Sequence, residues 1–358
     1  MTDHVPTADQ LPEEREDIPF AAAGVVGSVA AKPAPAPVAT MDEPAAATAT
    51  FELAYESGVE IKARSQWAYA RMRFFRHRMA VGSLVVLAGF ALVAIFANRV
   101  APYGYDEQNY SIIAKGPTFQ HGHIFGTDLL GRDYLSRVIY GIRTSLWVAF
   151  FVAALSTLIG TALGSVAGYY GGQTDNLLMR FTDLILTLPG LAVLLVAAAY
   201  LGQSDSQVGP VTLSQPVKVA LILAFLFWTG LARIVRGVFL SLREKEFVEA
   251  AKAAGASDRR IIFRHILPNC VGPIAVTMTL IVALAILTEA ALSFLGFGIQ
   301  PPHPALGSLI ADGETNGFDT WWLVTFPGLV IVLIALCVNF VGDGLRDALD
   351  PTQRRMRA

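Results

Sequence analysis

The chain has 358 residues, of which 54% are hydrophobic and only 16% charged, with a formal net charge of −2. Soluble domains carry about a quarter charged residues, so a water-facing pair of domains, which the length would allow, is excluded by composition. The near-neutral balance also argues against a nucleic-acid partner, and the two cysteines, Cys270 and Cys337, are too few for a disulfide framework and read as small apolar fillers.

Residues 1–61 differ in character from the rest of the chain. Glu13–Asp17 is a charged cluster, and the Ala/Pro-rich stretch around Lys32–Pro37 offers little large apolar surface to offset the entropy of ordering. A disordered cytoplasmic tail is expected there. The acidic cluster stands where a signal peptide would need a basic lead, which argues against a cleaved leader.

Six apolar segments come next, at about Met79–Ala97, Leu146–Gly168, Thr182–Leu201, Val219–Leu240, Cys270–Gly296 and Trp321–Val341. Each is close to the roughly 20 residues that cross a bilayer as a helix. The fold class expected is therefore all-α: a polytopic membrane protein with six transmembrane helices. Its parts would be the tail 1–61, a basic lead-in with the first span over 62–101, and an external loop 102–145. A five-helix core 146–341 carrying the loop 241–269 and a tail 342–358 complete the chain.

Bases set the orientation. Lys62, Arg64, Arg71, Arg73, Arg76 and Arg78 precede the first span; Arg243, Lys245, Lys252, Arg259, Arg260 and Arg264 lie between spans four and five; Arg346, Arg354, Arg355 and Arg357 lie near the C-terminus. With six crossings these fall on one side, which is expected to be cytoplasmic, in a multi-pass protein with both termini inside. Residues 298–320 hold no Lys or Arg, and Trp321 and Trp322 suit an aromatic belt. The loop 102–145 strains the assignment with Arg99 beside it and Lys115, Arg132, Arg137 and Arg143 within it, though Asp106, Glu107, Asp128 and Asp133 nearly balance them.

Within the spans, Ser156, Gly160, Gly164 and Gly168 repeat every four residues and predict a close helix–helix contact, inside the chain or with a partner. Pro189-Gly190 and Pro327-Gly328 each invite a kink. Glu289 is the one acid well inside a span, and its position in the outer half of span five favours a structural partner or the lip of an aqueous pathway over a proton relay. His121-Gly122-His123 with Asp128 and Asp133 raises an external metal site, against which exposed turn residues are the plainer reading. Gly126-Thr127-Asp128 and Gly131-Arg132-Asp133 suit turns and caps at the entry to an interfacial helix.

The loop after span four has its own architecture. Good helix formers over Arg243–Ala254 place Phe247, Ala250, Ala251 and Ala254 on one stripe, and Gly255 sits where a left-handed cap belongs. Ser257 or Asp258 would cap a second short helix, Arg259–Leu267, stopped by Pro268-Asn269. Such a basic, two-helix knob suits docking into a groove on a soluble partner, or lying on anionic lipid.

Glu249-Ala250-Ala251-x3-Gly255 followed by His265-Ile266-Leu267-Pro268 resembles the EAA motif of ABC-importer permeases, with His265 where the general pattern has Ile. Arg264–Asn269 looks like the dipeptide/oligopeptide and nickel branch. So do the Phe125–Arg137 stretch, Gly168-Tyr169-Tyr170-Gly171-Gly172, Ser293–Gly296, Gln300-Pro301-Pro302 and Gly342–Pro351, over about residues 75–352. The chain is most similar to the second, C-type, of the two non-identical permeases. The resemblance implies that Glu249, Ala250, Ala251, Gly255, Asp258, Arg264, His265 and Pro268 couple the chain to an ATPase. It further implies a homologous second permease, two cytoplasmic ATPase subunits that hold ATP and magnesium, and an external substrate-binding protein. Peptides are the implied substrate, with nickel or another small solute as the alternative. No Gly-x4-Gly-Lys-Ser/Thr loop occurs in the sequence, so no cofactor is expected in this chain and no enzymatic activity of its own. A secondary transporter complete in one chain would call for internal repeats or several embedded charges, and a membrane scaffold would leave the knob unexplained.

Overall fold

The computed structural model describes residues 66–118, 122–201, 206–208, 211–314 and 317–349. The expected tail 1–61, Lys62, Arg64, His121 and residues 350–358 lie outside the described residues.

The described residues are all-α apart from one small hairpin. Helix α1 (Gln66–Arg76) is joined through His77 to α2 (Arg78–Ile95), whose first turn His77 caps by accepting from the Ala80 N–H at 3.1 Å. The short α3 (Ala97–Val100) leads to an irregular segment, and then α4 (Tyr134–Tyr170) runs for 37 residues. Next come α5 (Gly172–Thr187) and α6 (Gly190–Leu201), bent by 82° at the break that holds Pro189. A hairpin of β1 (Ser206–Val208) and β2 (Val211–Leu213) precedes α7 (Gln215–Arg243). Helix α8 (Glu246–Ala253), α9 (Asp258–Phe294), α10 (Leu306–Glu314) and α11 (Trp322–Leu349) complete the chain. Among the described residues five helices are long and apolar enough to span a bilayer, or six with the bent α5–α6 pair counted as one span. Large side chains such as Val85, Leu158, Leu191 and Leu329 stay exposed on them, as befits surfaces that meet lipid rather than water.

One boundary is revised and two features are added. Span two begins at Tyr134 rather than Leu146, well inside the expected external loop. Polar residues such as Arg137 and Ser145 depress its hydropathy, yet both are buried in protein and never meet lipid. Pro327 lies inside α11, which runs on through it, and loosens the ladder there as expected. The carbonyl it strands, that of Leu323, accepts from the Tyr134 hydroxyl instead. The 298–320 loop contains α10, whose Leu306 and Leu309 are completely buried. Its nine residues are too short to announce themselves by periodicity.

The stripe on α4 finds its partner within the chain. Ser156 Oγ donates to the Ala224 carbonyl at 3.4 Å, and a Cβ at Gly160, Gly164 or Gly168 would come within 2.8 Å of the Trp228, Ala232 or Arg236 carbonyl of α7 respectively. Both helices advance by four residues at each contact, so they run parallel, backbone against backbone. Three side chains are missing so that this ridge can close.

Candidate functional site

Helix α8 is anchored by one deeply buried side chain. Val248 is completely buried, and Ala251 is half-buried three residues on. The expected stripe of Phe247, Ala250, Ala251 and Ala254 is therefore not the buried face: Phe247, Ala250 and Ala254 are exposed. Side chains three apart share a helix face, and it is the Val248/Ala251 pair that meets the bundle.

The helix ends as expected at Gly255, whose φ of +77° is left-handed. The Gly255 N–H donates to the Lys252 carbonyl at 2.9 Å and the Ala256 N–H to the Ala251 carbonyl at 3.0 Å. These two bonds, with Ala251 and Ala256 both packed against the core, form a Schellman motif. Glu249, Ala250 and Gly255 are left on the surface.

The second short helix is not a separate element. Asp258 opens α9, which runs on through Pro268 into the span to Phe294. Continuity is kept by a π turn at Ile261–Ile266, where the Leu267 N–H reaches back to the Ile262 carbonyl. Pro268 has no N–H to give the Arg264 carbonyl, and the widened turn accommodates its ring without stopping the helix. Ser257 is the residue before the helix, but its side chain makes no capping bond. Asp258, Arg264 and Pro268 are exposed and His265 is half-buried, with its carbonyl accepting from Asn269 Nδ2 at 2.7 Å. The eight residues thus lie along one continuous stretch, six of them open at its surface.

Tyr169, in the last turn of α4, fastens this stretch to the bundle. Its hydroxyl donates to Asp258 Oδ1 at 2.7 Å, its carbonyl accepts from Arg243 Nη1 at 3.1 Å, and Lys252 Nζ stands 5.9 Å above its ring. Nearby, Arg236 pairs with Asp175 through two bonds, one of 2.6 Å, and Arg233 Nη2 meets Asp183 at 2.6 Å, tying α7 to α5. The Gly168–Gly172 motif marks Tyr169 in the sequence, but nothing in its spacing discloses Asp258 as the partner.

The opposite end of α4 is closed by buried charge. Asp128 accepts from Arg132 Nε at 2.6 Å and from Arg137 Nη1 at 2.7 Å, and all three side chains are buried. Gly126 and Gly131, with φ of +79° and +69°, make the turns that bring them together, and Asp133 caps α4 by accepting from the Ser136 N–H at 2.8 Å. The turns and cap therefore enter a span, not an interfacial helix. Trp322 does not join an aromatic belt: it is buried, and its Nε1 donates to the Thr127 carbonyl at 3.3 Å. His123 Nδ1 lies 2.9 Å from Asp133, and no group of three metal-ligating side chains occurs among the described residues.

Glu289 is completely buried and accepts from Ser145 Oγ at 2.8 Å and Ser293 Oγ at 2.7 Å. Ser145 Oγ also meets the Leu306 N–H at 3.4 Å, so one carboxylate joins α4, α9 and the start of α10. Of the two sequence readings, a structural partner describes this geometry and the lip of an aqueous path does not.

Comparison with known proteins gives a consistent answer. Residues 160–355 match the binding-protein-dependent transport system inner membrane component family, and residues 65–117 match the N-terminal TM domain of oligopeptide transport permease C. The oligopeptide transport system permease protein OppC of Haemophilus influenzae is 40% identical over 83% of this chain and 92% of its own length. The dipeptide transport system permease protein DppC of Alkalihalophilus pseudofirmus is 40% identical over 81% and 91%. A solved structure of the MetNI methionine ABC transporter is also similar, at 17% identity and a TM-score of 0.47 over 60% of this chain and 97% of that one. Carrying the family's match over more than half its length, this multi-pass membrane chain belongs to the binding-protein-dependent transport permeases, in the branch of the C-type oligopeptide and dipeptide permeases.

Proposed function

We propose that this chain is one of two permease subunits of an importer that moves di- and oligopeptides across the bacterial inner membrane. ATP and magnesium are held by two separate ATPase subunits, and an external binding protein delivers the substrate. The single observation that supports this reading best is the exposure of Glu249, Ala250 and Gly255 on a rigid, capped helix whose inner face is anchored by Val248. A surface held stiffly from behind transmits force, whereas a slack loop absorbs it. The excess of bases at this end argues that it is cytoplasmic, with both termini on the same side. Closure of the ATPases would press on α8 and, through Tyr169, Asp258 and the continuous α9, rock the bundle between two facing states.

The test is co-expression with the cognate permease, ATPases and binding protein, followed by reconstitution into liposomes. Uptake of a radiolabelled tripeptide should require both binding protein and ATP, and Ala250→Arg should release the ATPases from a correctly folded permease. Uptake by the purified chain alone without ATP would refute the proposal, and ATP-driven uptake of a nickel chelate but no peptide would refute its substrate.

A further inference from the structure

A cavity of about 410 Å³ opens at the Asp128 end of the bundle, faced by Asn98, Tyr105, Tyr140, Arg143, Trp147 and His303. That volume lies within the range of small-molecule sites. Three arginines near this end fall into two groups. Arg132 and Arg137 are engaged by Asp128, Asp106 and Asp312. Arg143, farther along α4, meets no carboxylate among the described residues; its one hydrogen bond runs from Nη1 to Asn98 Oδ1 at 3.3 Å. Asn98 Oδ1 also accepts from the Tyr140 hydroxyl at 3.0 Å, so the guanidinium is fixed along one edge while its remaining donors stay uncommitted.

The surroundings say what kind of anion would enter. Tyr105 meets Tyr140 edge to face at 5.0 Å, and Trp147 stacks on Phe151 at 5.2 Å, so the walls are aromatic and preset. Tyr105, His303 and Ser214, which precedes α7, belong to connections beyond the span ends rather than to lipid-facing helix sides. An oriented guanidinium between aromatic walls suits a small carboxylate that carries apolar side chains better than a lipid headgroup on a bilayer surface.

We propose that this cavity binds the terminal carboxylate of a peptide as it enters the bundle, with Arg143 as the anion partner and Tyr105 and Trp147 against the neighbouring side chain. The inference rests on the peptide-permease reading above. It is tested in the complete reconstituted importer by comparing initial uptake of a tripeptide and of its C-terminal amide. The same binding protein serves both, so its own preference cancels when the free-acid to amide ratio is compared between wild type and Arg143→Gln.

The expected result is that Arg143→Gln lowers that ratio about tenfold, as the loss of one charge-assisted pair implies, while Arg143→Lys restores part of it. Trp147→Leu should slow both peptides and leave the ratio intact. An unchanged ratio in Arg143→Gln with peptide uptake intact overturns this inference alone. So does an equal loss for both peptides, or a loss seen only in vesicles containing phosphatidylglycerol, which would assign Arg143 to lipid. Absence of any peptide uptake by the wild-type complex overturns the substrate reading and this inference with it.

Discussion

Asp128 and Glu249 are both carboxylates at the ends of the helix bundle, and they live in opposite circumstances. Asp128 is 3% exposed and engages two buried guanidiniums and two backbone N–H groups. Glu249 is exposed and has no ion-pair partner among the described residues. The α4 helix alone, 37 residues at 1.5 Å each, separates these settings by about 55 Å. At one end charge is spent internally to hold loops and helix starts together; at the other, acids and bases remain on display around a capped helix. The sealed end also explains why the bases of the 102–145 loop do not contradict the orientation. Arg132 and Arg137 share Asp128, with Asp106 beside Arg132 and Asp312 beside Arg137, so the cluster presents no net positive charge to the membrane.

The largest effect that would break this contrast is expected at Asp128. Asp128→Ala takes the shared carboxylate from two buried guanidiniums, leaving Asp312 at 3.3 Å from Arg137 and Asp106 at 3.9 Å from Arg132, and removal of one member of such a cluster costs about 3–5 kcal/mol. Thermal unfolding of the detergent-solubilised complex should drop sharply, or the chain should fail to accumulate. Glu249→Ala, by contrast, should shift stability by no more than about 0.5 kcal/mol. Equal melting temperatures for the two variants would erase the distinction between the ends.

Glu289 comes next. Glu289→Ala leaves the Ser145 and Ser293 hydroxyls facing a void, at about 1–3 kcal/mol, and should loosen α10 from α4. Glu289→Gln keeps an acceptor for one hydroxyl and should retain uptake. Loss of uptake in the Gln variant at undiminished stability would revive a proton relay.

How far the sequence discloses this molecule depends on whether a feature is local. The spans, the Gly255 cap and the pairing stripe on α4 rest on composition or short-range spacing, and each is legible. The start of α4 at Tyr134, the burial of α10 and the continuity of α9 through Pro268 are not. Each depends on a partner far along the chain or on a π turn that no periodicity announces: Asp312 lies near Arg137, Leu323 near Tyr134, and Ile262 supplies the carbonyl for Leu267. In the candidate site the exposed residues follow from the motif. The anchoring role of Val248 does not, because a short amphipathic helix with Phe247 and Val248 side by side offers two apolar faces to choose from.

Gly255 sharpens the displayed end. A Cβ there meets nothing within 4 Å, so space is not the constraint and only the positive φ is. Gly255→Val should therefore cost about 1–2 kcal/mol, confined to the α8 cap. Co-purification of the ATPases should weaken while the melting temperature of the bundle hardly moves. Gly255→Asn, which tolerates the left-handed region, should retain most of the association. If the two variants behave alike, backbone geometry at this cap is not what the ATPases require.

A small effect on stability, but a larger one on transport, is expected at the residue that joins the displayed end to the long helix. Tyr169→Phe removes one hydrogen bond to the exposed Asp258, worth about 0.5–1 kcal/mol, and leaves the ring beneath Lys252 in place. Folding and ATPase association should both survive. What should change is the yield of the motor stroke: α8 and the start of α9 would move with the ATPases but pull less firmly on α4, so peptide imported per ATP hydrolysed should fall. Asp258→Asn keeps an acceptor for the Tyr169 hydroxyl and should lie between Tyr169→Phe and wild type. A ratio that stays constant across all three proteins would mean that force reaches the spans through the unbroken backbone of α9 alone, with the side-chain tie serving only to seat the loop.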